Sequence, residues 1–200
     1  MGYSRADKAQ SHERIVKAAA ARFREKGIDG IGLADLMKEA GLTHGGFYRH
    51  FESRDALVAE AVDCALRASD GTLTGVVDET GVVDMVRYIE AYLSAEHRDN
   101  PGTGCAMAAL AGDVARSGPQ ARALYTAHIE RVVSSLVPLL GERRPLEQRR
   151  AHALVIVTTL SGALAMARAT NDPRLSDEML EATRRQLIGE LERAGATPVR

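Results

Sequence analysis

The stretch Leu33–Phe51, LADLMKEAGLTHGGFYRHF, constrains the fold more than any other part of the chain. Leu33, Leu36, Met37 and Ala40 recur at helical spacing and form one apolar stripe. Gly41 can adopt positive φ without a Cβ clash, which stops that helix. Leu42 is the hydrophobe of the turn, and the hydroxyl of Thr43 is placed to cap a second short helix. In that helix Phe47 points inward, while Thr43, His44, Gly45, Tyr48 and Arg49 fall largely on the other face. Two short helices joined by a tight glycine turn, the second with a polar and basic outer face, predict a helix-turn-helix unit whose second helix enters a DNA groove.

The remainder is expected to be helical as well. Of the 200 residues 45% are hydrophobic but only 4% aromatic, with no tryptophan, and this composition favours an ample helical core. The formal net charge of −1 is unevenly spread. Residues 1–54 carry ten Lys/Arg against seven Asp/Glu, or +3, and the rest carries sixteen against twenty, or −4. A basic head on an acidic body points modestly to a polyanionic partner at the N-terminus. Cys64 and Cys105 are too few for a disulfide framework, so a reducing compartment and a cytoplasmic location are expected. No apolar stretch typical of a secretory signal follows the N-terminus. The longest apolar run, Ala151–Ala169, contains His152, Thr158, Thr159, Ser161 and Arg168, so it is read as a helix of a globular protein with no membrane partner.

In chain order, residues 1–8 read as a polar, frayed end, and Ala9 to Lys26 as an amphipathic helix ended by Gly27. Ser53 is the expected N-cap of a helix reaching Ser69. Further helices are predicted over Asp78–Arg98, Cys105–Arg116, Pro119–Leu140, Pro145–Thr170 and, capped by Ser176, on to Arg193. No segment shows a convincing period of two. The expectation is an all-α chain of about nine helices, three in an N-terminal helix-turn-helix domain over 1–52 and six in a body over 53–200.

These residues resemble the TetR family of transcriptional regulators. The resemblance is carried by Gly27, Leu33-Ala34-Asp35-Leu36, Ala40-Gly41-Leu42-Thr43, Gly45, Phe47-Tyr48-Arg49-His50-Phe51 and Ser53-Arg54-Asp55-Ala56-Leu57. It implies a DNA-binding regulator, most often a repressor and otherwise an activator, whose body binds an unknown small-molecule inducer. It also implies a homodimer through a four-helix interface formed by helices at about 145–170 and 176–193. The run Ala153–Ala167 is apolar around nearly its whole circumference, so it is buried on more than one side, either in a dimer or in the core of a monomer. A reader of two half-sites about 34–36 Å apart needs paired heads, which favours the dimer. Gly46 departs from the family, where a hydroxyl or small side chain is usual, as does Gly32, where a capping Thr or Ser is usual. Adjacent glycines at 45 and 46 cost about 1 kcal/mol each relative to alanine, which predicts a loosely formed recognition helix.

Candidate DNA contacts follow from side-chain type and position. Thr43, Tyr48 and Arg54 suit phosphate contacts that set register without reading bases. His50 joins them or packs internally. His44, Gly45, Gly46 and Arg49 lie where the second helix meets the groove floor. In the body, Tyr88, Tyr92, Met107, Tyr125, His128 and Met166 are candidates for lining a ligand cavity, or are plain core. Cys105 joins the ligand-site candidates. It follows Gly104 at the start of the sixth expected helix, as in family members that sense electrophiles or oxidants through a thiol, and a helix N-terminus favours the thiolate. The alternative is a small buried hydrophobe. His97, His128 and His152 have no i,i+4 partner among themselves or with a cysteine, so neither a metal nor any other cofactor is expected. An enzyme using Cys105 with a histidine lacks a strand-turn-helix nucleophile elbow and is disfavoured, so the chain is read as no enzyme. A helical interaction module without DNA binding is the other competing class.

Overall fold

The computed structural model describes residues 5–70, 83–141 and 145–193. Among them are nine α-helices: α1 Arg5–Lys26, α2 Leu33–Glu39, α3 Arg54–Asp70, α4 Met85–Tyr92, α5 Ala95–Asp99, α6 Ala106–Ala115, α7 Pro119–Leu136, α8 Leu146–Ala169 and α9 Pro173–Arg193. Two 3-10 helices, His44–Arg49 and Val137–Leu140, complete the set. The all-α expectation holds. The chain forms two compact units. One holds α1–α3, the first 3-10 helix, α6 and the start of α7; the other holds α4, α5, the end of α7, α8 and α9. The first unit therefore takes in more than residues 1–52.

In the first unit, Ile15, Ala19 and Phe23 of α1, Leu36 and Met37 of α2, and Leu57, Val62 and Leu66 of α3 are buried. Gly27 and Gly41 end α1 and α2 at φ +78° and +74°, a conformation that L side chains rarely adopt. Arg22 fastens α1 to α2, its Nε donating to both Glu39 carboxylate oxygens at 2.9 Å. Ser53 caps α3 as expected, its Oγ accepting from the Ala56 N–H at 3.1 Å. α1 begins at Arg5 and not at Ala9, so the first basic residues are helical and not frayed.

The start of α6 is capped by another helix. The Cys105 side chain makes no cap bond. Instead, Ser69 Oγ of α3 accepts from the Ala106 N–H at 3.0 Å and donates to the Ala65 carbonyl at 2.9 Å. Arg24 Nη1 of α1 donates to the same carbonyl at 3.3 Å, so α1, α3 and α6 meet around Ala65. Ser69→Ala removes a cap and is expected to cost about 1 kcal/mol in chemical denaturation. An unchanged denaturation midpoint would show that the cap contributes nothing.

In the second unit, Ile156, Leu160 and Leu164 of α8 and Leu180, Leu187 and Leu191 of α9 supply buried apolar groups. By length and composition α8 is apolar enough to cross a bilayer, despite the polar residues that argued otherwise. Here it packs beside α9. α9 starts one turn earlier than expected. Asp172 Oδ1 accepts from the Arg174 N–H at 2.9 Å, and Pro173 suits the first helical position. Ser176 is thus inside α9 and buried, its Oγ donating to the Ala167 carbonyl at 2.8 Å. The helix expected over 78–98 is also revised. Residues 78–82 lie outside those described, and the rest is divided into α4 and α5. Ser94 causes the break, its Oγ accepting from the His97 N–H at 3.1 Å and so opening a new helix. Arg168 then holds the α5 carbonyls of His97 and Arg98 at 2.7 and 3.0 Å. The last turn expected in α7 tightens to 3-10 geometry at Val137–Leu140, where Pro138 has no N–H to donate.

Candidate nucleic-acid interface

The outer edge of the first unit is built around Phe47. This ring is 1% exposed, stacks on Phe51 with centroids 5.3 Å apart, and meets Tyr48 edge-on at 5.2 Å. With Phe47 inward, the 3-10 geometry turns Thr43, His44, Gly45, Tyr48 and Arg49 to the surface, and Tyr48 is 76% exposed. Thr43 sits at the N-cap position but its hydroxyl makes no cap bond, contrary to expectation. Its carbonyl instead accepts from the Gly46 N–H at 2.9 Å, the three-residue span of a 3-10 turn. The recognition helix is therefore present as a short 3-10 segment and not as an α-helix.

Thr43, Gly46, Arg49 and His50 line a groove of about 560 Å³ together with Arg5 and Lys8 of α1. Gly41 and Leu42 are also in its lining, and among the described residues none that line it is a carboxylate. His50 is only partly exposed, and its Nδ1 is buried with no hydrogen-bond partner among the described residues. Burial, followed by the nearby charges of His12, Lys8 and Arg49, holds the His50 imidazole below its ordinary pKa. His12 stacks on Phe51 at 4.5 Å and meets Glu60 Oε2 at 2.6 Å. Arg5 and Lys8 were missed by the sequence analysis. Their i,i+3 spacing ahead of the amphipathic pattern was the available signal.

Arg54 is not brought to this groove. Its Nη2 donates to the Ile28 carbonyl at 2.8 Å and meets Asp29 Oδ1 at 3.2 Å, in a separate cavity shared with Asp55, Asp113 and Arg116. His44, Gly45 and Tyr48 are exposed beside the groove without lining it.

Gly46 has room for a side chain. A Cβ would meet only Met37 Cε and Thr43 Oγ1, each at 3.8 Å. Gly46→Ala is therefore expected to stabilise by about 0.4–1 kcal/mol, chiefly by restricting the unfolded chain. A lower or unchanged melting temperature would refute this.

The proposed ligand residues are divided between the two units. Cys105, Met107 and Tyr125 are in the first. Cys105 is 4% exposed, and Tyr125 donates its hydroxyl to the Met107 carbonyl at 3.0 Å. Burial, and then Cys105, pushes that phenol up to about 12. Tyr88, Tyr92, His128 and Met166 are in the second unit. Tyr88 and Tyr92 meet edge-on at 5.8 Å, and the Tyr92 hydroxyl lies 3.4 Å from Ser161 Oγ. His128 is buried, with Nδ1 accepting from Arg131 Nη2 at 2.8 Å. Met166 is 61% exposed on the outer face of α8, so it is not part of this unit's core.

Residues 15–61 match the family model described as bacterial regulatory proteins, tetR family. An uncharacterized HTH-type transcriptional regulator of Mycobacterium tuberculosis (strain ATCC 25618 / H37Rv) is 27% identical over 188 residues, covering 90% of this chain and 95% of that one. The crystal structure of a TetR transcriptional regulator from Chloroflexus aurantiacus superposes with a TM-score of 0.72 at 26% identity, covering 91% and 94% of the two chains. The HTH-type transcriptional repressor DhaR of Mycobacterium sp. (strain GP1) is 26% identical over 93 residues, 46% of each chain. A helix-turn-helix head on a helical body defines a DNA-binding transcriptional regulator. Residues 15–61 thus carry the DNA-binding region of the TetR family, and along most of its length the chain is similar to regulators of that kind. Its relatives are regulators and not enzymes, which removes the reading of Cys105 as a catalytic nucleophile.

Proposed function

We propose that the protein is a homodimeric repressor that reads operator DNA with Thr43, His44, Gly45, Gly46, Tyr48, Arg49 and His50, with Arg54 supporting the head. The observation that carries the dimer is the outer face of α8. Ala151, Leu154, Val155, Thr158, Gly162 and Met166 recur there at 3-4 spacing, and Leu154, Val155 and Met166 are 38%, 52% and 61% exposed. Leu175 on α9 is 44% exposed. A second copy is the fitting occupant, because a two-fold interface is self-complementary and small residues such as Gly162 let two helices approach. Two heads then span successive major grooves. Repression, and not activation, is favoured by the name of the relative DhaR. A small-molecule inducer releases the DNA if it binds the other spacing of the heads more tightly than the DNA-bound one.

Selection of bound fragments from a random DNA pool tests this reading. The expected product is a pair of inverted half-sites whose centres lie about one helical turn, or a multiple of it, apart. Weak binding indifferent to sequence would refute it.

A second route to release is modification of Cys105, the residue that precedes the Ser69-capped start of α6. Thiol alkylation is expected to abolish DNA binding by the wild type and to spare Cys105→Ser. Undiminished binding by the treated wild type would remove this route and leave the small-molecule one.

A further inference from the structure

We propose that the groove between the start of α1 and the recognition helix holds one backbone phosphate of bound DNA, and that His50 takes up a proton when it does. DNA binding would then be linked to pH. The proposal rests on the DNA-binding reading above and extends its footprint, since Arg5 and Lys8 precede the residues 15–61 that match the family.

The lining has the chemistry of an anion site. Arg5, Lys8 and Arg49 bring three cations, Thr43 a hydroxyl and His50 an imidazole, with no carboxylate among them. Positive groups around an empty groove repel one another, and a phosphate diester relieves that repulsion. It also changes what His50 prefers. In the free head, the groups facing His50 are Lys8 and His12 from α1 and Arg49 from its own helix, and these together with burial disfavour its charged form. Glu60 of α3 is the acid of the cluster, engaged with His12 at 2.6 Å. The buried Nδ1 has no partner among the described residues that would stabilise a proton. A phosphate oxygen in the groove supplies the missing negative charge. The proton comes from solvent and ends on the imidazole, while the diester keeps its single charge and no covalent bond changes.

The sign follows from linkage. A group whose pKa is low in the free protein and higher in the complex takes up a proton on binding between those two values, so affinity rises as pH falls through that window. At its steepest the gain approaches about tenfold per pH unit for each head.

The test uses the full-length protein and a DNA fragment selected from a random pool. Affinity is measured across about pH 5.5 to 8 at fixed ionic strength, spanning the range in which histidine titrates. Calorimetric titration in two buffers of different ionisation enthalpy counts the protons taken up. The wild type is expected to bind more tightly at lower pH with net uptake, His50→Gln to show a flat profile without uptake, and His44→Gln to retain uptake. Lys8→Gln, on the exposed start of α1, is expected to reduce the salt dependence of log K by about 0.9 per head. This variant also tests the cradle if His50→Gln fails to fold. Tight, selective binding by the wild type without proton uptake, or uptake that survives in His50→Gln, would overturn the proton linkage while leaving the DNA-binding reading intact. An unchanged salt slope in Lys8→Gln would overturn the cradle. If no sequence is enriched from the pool, the DNA-binding reading falls, and the inference with it.

Discussion

Val155→Glu is expected to convert the protein to a monomer and to abolish tight operator binding. Val155 is 52% exposed in the single chain, so a carboxylate there can stay hydrated and the helical content should not change. In a two-fold interface the substitution enters twice, and two like charges on facing α8 helices lose their water together. Burying an unpaired charge costs several kcal/mol even after relaxation. At about 1.4 kcal/mol per factor of ten, dimer affinity should weaken by at least three orders of magnitude. Sedimentation equilibrium of the variant at micromolar concentration measures this directly. Met166→Glu, further along the same face, should behave alike because that side chain is 61% exposed. A stable dimer in either variant would show that the exposed apolar face of α8 is not where two copies meet.

Phe47→Ala is the second large effect. The ring is 1% exposed and packed against Phe51, so its removal should cost about 3–5 kcal/mol, most of the stability a small helical head can hold. The expected result is loss of amide-exchange protection over α2 and the recognition helix, with loss of DNA binding, while α8 and α9 keep their protection. Tyr48→Ala is the contrast. That side chain is 76% exposed, so stability should change by less than about 0.5 kcal/mol while DNA affinity falls. Equal stability losses in the two variants would contradict the inward and outward assignment of these rings.

Phe47→Ala and Val155→Glu probe features that differ in how far the sequence disclosed them. The inward placement of Phe47 was readable from the spacing between the apolar stripe at Leu33–Ala40 and the turn at Gly41. The outward face of α8 was not. Ala153–Ala167 is apolar nearly all round, so periodicity predicted burial on more than one side but not which side α9 would cover. The structure settles this by burying Ala153, Ile156, Leu160 and Leu164. Met166 falls on the opposite face, outside the core of the unit.

Across the rest of the fold the same division recurs. Short-range signals were legible: Gly27 and Gly41 take positive φ, Ser53 caps α3, and Pro119 opens α7. These depend on neighbours a few residues away, so local sequence carries them. Competition between nearby caps was harder to read. Asp172 capped α9 ahead of Ser176, and Ser94 divided the helix expected as one. What only the tertiary structure decided involves groups distant along the chain. Arg54 has a long, flexible side chain with several possible acceptors, and its choice of the Ile28 carbonyl depends on where the connector after α1 folds back. Ser69 became the cap of α6 because α3 and α6 meet around Ala65. Arg5 and Lys8 joined Arg49 and His50 because α1 lies beside the recognition helix, a proximity that no local period encodes. The sequence by itself thus determined a helix-turn-helix head on a helical body, since periodicity and caps act over a few residues. The tertiary structure decided which cations share the groove and which face of α8 stays open, since both depend on packing between helices far apart in the chain.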